Sequence, residues 1–268
     1  MAIRLAWDAV GEHYYETGSS HAVLYPGLAT PTTVSIKGGS ATEGSDLDVA
    51  TAYGAGVAWN GFTGCDESPD GADITKKYAN NGEYVSFRAA ESLGFTIKAF
   101  TYPDEWKTCD GRRISSTVGG FSIGQQTRGK FGFCYQTIKG NDTQENDYAV
   151  IYHIYYGCSA SPSDRSYETV NDSPDNIEFS WECSTTPVTI NGNGSAAEQK
   201  LISDCCPGKT SVKLVSVEID SSLLNASQIT LLEQTLYGLD VQGGQTPTLP
   251  DPGDLLTLLY NKRTITSG

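Results

Sequence analysis

The sequence predicts a mainly β protein, and three observations carry that prediction. The first is a pair of apolar runs, Phe131–Lys139 and Tyr148–Gly157, joined by a polar stretch from Gly140 to Asp147. In the second run Tyr148, Val150, Tyr152, Ile154 and Tyr156 share one face of a strand, and Ala149, Ile151, His153 and Tyr155 share the other, because successive side chains alternate. With so little charge on either side, both faces are expected to be covered, one by a second sheet and the other by a helix, a loop or a neighbouring copy. The second observation is the alternation of Ile177, Phe179, Trp181 and Cys183 with Glu178, Ser180, Glu182 and Ser184. It predicts a strand with one buried face and one that is wet or meets a partner. The third is composition: 29 Gly, 15 Tyr and a single Met describe a turn-rich, aromatic-rich β chain rather than a helical bundle. At 268 residues the chain suffices for one large all-β domain or two small ones.

In chain order, residues 3–25 give an entry segment with Tyr14, Tyr15, Val23, Leu24 and Tyr25. Residues 27–52 are rich in Gly, Ser, Thr and Asp, too poor in large apolar groups to build a core, and are expected as a long loop or extended arm. Val57-Ala58-Trp59 resumes a strand that Asn60-Gly61 breaks. Cys65–Ala79 is polar, with a turn expected at Ser68-Pro69-Asp70-Gly71. Tyr84–Phe100 returns to strand patterning, and Arg88–Ser92 within it reads either as a helical turn or as a bulge. Tyr102-Pro103 ends that strand, since proline removes a ladder donor. After Trp181, residues 191–210 are expected as a second long loop, and Val212–Ile219 as a further strand. Asn225–Tyr237 is the one clear helix, with a capping box from Asn225 to Gln228, apolar Ile229, Leu232 and Leu236, and Gly238 as its stop. Residues 239–253 read as extended. Leu255, Leu256, Leu258 and Leu259 form an apolar tail that docks on the chain's own body or, in an assembly, on a neighbour. Inside the segment at 191–210, Glu198–Ser203 matches the first six residues of a common epitope tag and Cys205-Cys206-Pro207-Gly208 is similar to a dye-binding tag. Neither is complete, and the segment is expected to be exposed.

A net charge of -14 argues against a nucleic-acid clamp, whose affinity comes from Lys and Arg on phosphates. It suits a solvated surface, and equally a surface that DNA passes without sticking. Seven scattered cysteines fit no disulfide framework and no zinc spacing, which points to a reducing compartment. The N-terminus lacks a signal-peptide apolar region, and no segment approaches the ~20 apolar residues of a membrane span. No GxSxG, HExxH, P-loop or dinucleotide fingerprint is present, and His13, His21 and His153 are not spaced as ligands. Asp104/Glu105 follows Pro103 at a strand end and reads as a turn rather than a carboxylate pair. The residues therefore suggest no catalytic group, cofactor or metal.

A series of segments in order carries a family resemblance: Gly56–Gly61, Glu67-Ser68-Pro69, Ala99–Glu105, Ile123–Gln126, Gly140–Thr143, Asn171–Pro174, Phe179–Glu182 and Thr185–Val188. Over about residues 5–238 the chain resembles the major tail protein of long, non-contractile-tailed bacteriophages, the tail tube subunit. The resemblance implies a two-sheet β-sandwich or barrel of the tail-tube type with one flanking α-helix, extended loops and a C-terminal arm. It also implies a domain over 1–238, with residues 239–268 as the arm. Six copies would form a ring, and stacked rings a tube through which double-stranded DNA passes without specific binding. Expected partners are the tape-measure protein and the tail terminator and tail-tip proteins, in a virion tail assembled in the host cytoplasm, with no membrane. Residues 27–52 and 191–210 depart from the family pattern and are expected outside the tube or at ring contacts. The loop bearing Asn141, Asp142, Glu145 and Asp147 is the candidate inter-ring contact or lumen rim, and equally reads as an ordinary solvated hairpin loop. The leading alternative is an adhesin or carbohydrate-binding β-sandwich module that uses exposed Tyr and Trp.

Overall fold

The computed structural model of the chain describes residues 7–36, 47–70, 74–88, 92–163, 177–238 and 245–263. The first strands are β1 (Tyr14–Ile36), β2 (Leu47–Tyr53), β3 (Val57–Ala58), β4 (Phe62–Asp70), β5 (Ile74–Ala79), β6 (Gly82–Arg88) and β7 (Ser92–Ala99). A one-turn helix α1 (Trp106–Cys109) precedes β8 (Arg113–Ile114), β9 (Ser122–Ile123), β10 (Phe131–Asn141), β11 (Glu145–Ala160), β12 (Phe179–Thr185) and β13 (Val188–Asn191). Helix α2 (Ala196–Cys205), strands β14 (Ser211–Leu214) and β15 (Ser216–Asp220), and helices α3 (Ala226–Tyr237) and α4 (Pro252–Arg263) complete the chain.

The protein is mainly β and antiparallel, with one nine-stranded sheet ordered β2-β1-β10-β11-β12-β7-β4, to which β15 and β3 attach at the side. The expected strand pair is β10–β11, and both of its faces are covered. Cys134, Tyr152, Ile154 and Tyr156 face a core completed by Val23 and Tyr25 of β1 and by leucines of α3 and α4. Phe131, Phe133, Tyr135, Tyr155 and Cys158 face a second, aromatic core with Trp59, Phe95, Ile97, Trp106 and Trp181.

A bend in β11 makes the second core possible. Residues 151–155 of β11 pair with β15, whereas 158–160 pair with β12. The change of partner falls at Gly157, whose φ of +62° is a left-handed conformation. A Cβ there would collide with the Thr186 carbonyl oxygen. Beyond the bend, β12, β7 and β4 fold over β1, β10 and β11, and Ser19 Oγ of β1 reaches the Thr63 carbonyl of β4 at 3.4 Å. The expected two sheets are thus two layers of one continuous sheet, and it is not a closed barrel.

Four further expectations change. Residues 27–52 do not form a loop where they are described: β1 runs on to Ile36 and pairs with β2 from Thr32↔Thr51 to Ile36↔Leu47, while 37–46 lie outside the described residues. The Ser68-Pro69 turn is instead part of β4, an edge strand, where proline's missing N–H costs no ladder bond. Residues 191–210 contain α2, closed by a capping box in which Ser195 and Glu198 exchange bonds. Leu201 and Ile202 of α2 pack on Ile190, so the tag-like segment is built into the fold rather than wholly exposed. The apolar tail is α4, with Leu255, Leu258 and Leu259 buried in the chain's own core and Leu256 against Leu201 and Ile202. Buried hydrogen bonds fix this region: Thr51 Oγ1 donates to the Leu249 carbonyl (2.6 Å), Tyr156 Oη to the Pro250 carbonyl (3.1 Å) and Gln228 Nε2 to the Leu259 carbonyl (2.7 Å). Helix α3 has the Asn225–Gln228 capping box expected of it and ends at Gly238 (φ +81°). The patch at 89–91 lies outside the described residues.

Candidate functional site

The candidate rim loop is a short turn. β10 extends to Asn141 and β11 starts at Glu145, which leaves Asp142-Thr143-Gln144 between them. Buried Asn141 shapes it, its Oδ1 accepting from Thr143 N (3.2 Å) and Gln144 N (2.7 Å). Asp142, Glu145 and Asp147 are exposed. Asp142 is also a latch for the N-terminal segment: it accepts from Gly11 N (2.9 and 3.0 Å) and sits 3.0 Å from His13 Nδ1. Tyr15 Oη donates to Asn146 Oδ1 (2.9 Å) beside it.

The Gly11 amide, ahead of the His13 ring, holds the Asp142 carboxyl below its ordinary value of 3.8. A carboxyl depressed in the folded state stabilises above its unfolded value and loses that contribution as pH falls through the lowered one. Below pH 3.8, therefore, the segment around Gly11 is expected to detach before the sheet unfolds. Hydrogen exchange at the Gly11 amide checks this, and an Asp142→Ala variant, which removes the acceptor, should show fast exchange already at neutral pH. Unchanged protection in acid would remove the latch.

The outer face of the folded-over layer is polar throughout. Ser180, Glu182 and Ser184 lie beside Lys98, Thr96 and Gly94, which lie beside Gly64, Asp66 and Ser68 in register. Lys98 Nζ pairs with Asp66 at 2.6 Å, and that bond raises the ammonium above its ordinary value. Glu178 flanks the strip, accepting from Thr63 Oγ1 at 2.8 Å. The face carries no large apolar side chain, while its reverse holds Phe95, Ile97, Trp181 and Cys183.

Between the layers lies a polar network. Glu67 Oε1 of β4 accepts from Tyr135 Oη (3.1 Å) and from Tyr155 Oη. Burial raises both phenols above their ordinary range. His153 stacks on Tyr135 (4.8 Å between centroids) with Nε2 2.9 Å from Thr137 Oγ1 and 3.3 Å from Glu16 Oε1. It is the packed, hydrogen-bonded histidine that its strand position suggests. Among the described residues no group of three or more His, Cys, Asp or Glu is placed to hold a metal. Asp104 bonds Lys107 Nζ (2.6 Å) in the turn that starts α1. All seven cysteines are free, and burial pushes Cys65, Cys109 and Cys134 up to about 12.

One feature lay outside the residues singled out from sequence. β5 and β6 form a two-stranded hairpin closed by Asn80-Asn81, both at positive φ (51° and 61°), the backbone of a type I′ turn. Ile74, Tyr78, Tyr84 and Phe87 on it are between 51% and 78% exposed. β6 overlaps the strand expected from Tyr84, but that stretch divides into β6 and β7, and the pairing of β6 with β5 was signalled only by Asn80-Asn81-Gly82 between two tyrosines.

Neither a scan of protein-family models nor a search of curated proteins returned a match.

Proposed function

We propose that the chain is a structural subunit of a phage tail tube of the long, non-contractile type, six copies forming a ring and rings forming a conduit for DNA. The observation that carries this reading is the β5–β6 arm. A two-stranded hairpin standing alone in water is marginal, and one that exposes four large apolar side chains needs a partner surface. Among the described residues the outer edges of β4 and β15 pair with no further strand, a liability that ring closure removes. The polar outer face of β12, β7 and β4 is the part suited to a lumen, with Asp66, Glu178 and Glu182 turning phosphates away so that DNA slides rather than binds. On this reading the other partners are the tape-measure protein and the terminator and tip proteins at the two ends, the protein resides in the virion tail, and it catalyses nothing. The tail-tube type of the sandwich belongs to the same proposal.

Electron microscopy of the purified protein at rising concentration tests it, with six-membered rings or tubes as the expected result. Replacing Tyr78, Tyr84 and Phe87 together by serine should abolish those assemblies. The monomer's unfolding free energy should stay within about 0.5 kcal/mol, because exposed side chains contribute little to the folded chain. A native protein that is monomeric at every concentration, with or without the arm tyrosines, would sink the reading and favour the carbohydrate-binding module, which a glycan screen would then detect.

A further inference from the structure

The two ends of β10 differ in charge and in what they expose. Residues 106–130, which carry α1, β8 and β9, lead into β10 at Phe131. They hold Arg112, Arg113, Arg128 and Lys130, with Lys107 paired to Asp104 just ahead of them, against one acid of their own, Asp110, within a chain of net charge -14. Asp110 is turned inward, its side chain only 10% exposed and 3.9 Å from Arg112 Nε. The lobe's tip exposes Ile114, Val118, Phe121 and Ile123, at 41% to 60%. Its base is fixed: Arg113 Nη2 donates to the Thr127 carbonyl (2.8 Å), Gln126 N to the Gly111 carbonyl (2.9 Å) and Gly129 N to the Thr108 carbonyl (3.1 Å). The apolar tip is therefore presented by a held scaffold.

At the far end of β10, 11 residues and roughly 35 Å away at strand rise, stands the β10–β11 turn. Asp142, Glu145 and Asp147 are exposed there, with Asp8 and Glu12 on the latched N-terminal segment. Lys139, three residues before Asp142, is engaged with Asp220. The same segment exposes Trp7 and Val10, at 77% and 84%. Each end thus exposes apolar side chains on a segment with an excess of one charge, and the two signs are opposite.

We propose that copies of the chain stack head to tail, the basic lobe 106–130 of one copy seated on the acidic β10–β11 turn and N-terminal segment of the next. This deepens the tube reading and rests on it: it assigns the ring-to-ring contact. Head-to-head or tail-to-tail contact sets like charges together and repels, whereas head-to-tail contact pairs opposite charges. Phe121 and Val118 then meet Trp7 and Val10. Such a contact is heterologous, so it repeats along an axis instead of closing on a pair.

Charge reversal with mixing tests it. One variant carries Arg112→Glu and Lys130→Glu, the other Glu145→Lys and Asp147→Lys. Each alone brings like charge to the contact, and the midpoint concentration for stacking, read by light scattering and electron microscopy, should rise about tenfold or more. An equimolar mixture presents opposite charges at every contact and should restore stacking. High salt should dissociate the native stacks, because these charges are exposed. Variants that stack like the native chain would overturn the inference, as would a mixture that fails to recover while both variants keep the native denaturation midpoint. If six-membered rings persist in those cases, the tube reading stands and only the assigned contact falls. A native chain that never associates overturns both.

Discussion

Replacing Trp181 by alanine lowers the unfolding free energy by about 4 kcal/mol, the upper range for deleting a buried aromatic side chain. Trp181 is fully buried at the centre of the aromatic core. Its ring lies 5.6 Å from Trp59, 5.5 Å from Trp106 and 5.5 Å from Tyr102, all near edge-on, and 5.5 Å from Phe179, stacked. These rings come from α1, β12, the residue after β3, whose amide bonds the Ala22 carbonyl of β1, and the segment before α1, so the loss is felt on both layers at once. Neighbours of that size do not collapse into the space that an indole leaves, which places the cost above simple transfer. Urea denaturation gives the measurement, as a lower midpoint at unchanged slope. Ser180→Ala, one residue away on the polar outer face, is the control and should stay within about 0.5 kcal/mol. Equal effects at the two positions would contradict the two-faced strand.

Gly157→Ala should cost a similar amount, about 4 kcal/mol, by another route. Two terms combine: a non-glycine residue held at φ +62°, about 1–3 kcal/mol, and a Cβ driven into the Thr186 carbonyl oxygen, about 1–3 kcal/mol more. The neighbouring bonds cannot easily give. Gly157 N donates to Tyr53 Oη (2.8 Å), its carbonyl accepts from Thr186 N (2.9 Å), and Tyr156 N donates to the Val215 carbonyl (2.9 Å). Gly208→Ala separates the two terms, since Gly208 has φ +84° but nothing within 4 Å of a Cβ. It should show the conformational cost alone, about 1 kcal/mol. If both glycines give the same denaturation shift, the collision at Gly157 is not limiting and the bend tolerates a side chain.

Legibility in the sequence followed burial. β12 was plain because one face packs and the other is wet, so alternation is complete from Phe179 to Ser184. Helix α3 was plain because its cap and its apolar stripe coincide. β10 and β11 were recognisable as strands covered on both faces, but nothing in them revealed that one glycine turns a single sheet into two layers. The polar part of β1 and the β5–β6 arm were obscured for the opposite reason: strands exposed on both faces carry no pattern. Helix α2 had its signal in Ser195 and Glu198, three apart, outweighed by the glycines before it. In α4, Pro252 at the first position and Leu255, Leu258 and Leu259 at helical spacing were available and read only as a tail. Of the candidate site, the rim acids were found where a hairpin loop must lie. The arm and the basic lobe were missed, since segments exposed on every side leave no periodicity.

The placement of α4 has a consequence for how the chain is made. Strand β1 pairs locally with β2 and β3, but its residues 14–26 also need β10, Tyr25 Oη needs the Leu236 carbonyl, and Thr51 Oγ1 needs that of Leu249. The N-terminal half therefore leaves the ribosome with its local pairs β1–β2, β4–β7 and β5–β6 in hand, while the groups that bury Tyr25 and Thr51 have yet to be synthesised. Contacts this remote in sequence make folding slow and leave strand edges open to other nascent chains. Folding is thus a post-translational event, with the docking of α4 among its closing steps. A chain stalled before Leu249, which lacks α4, is expected to be digested by a protease faster than the full chain.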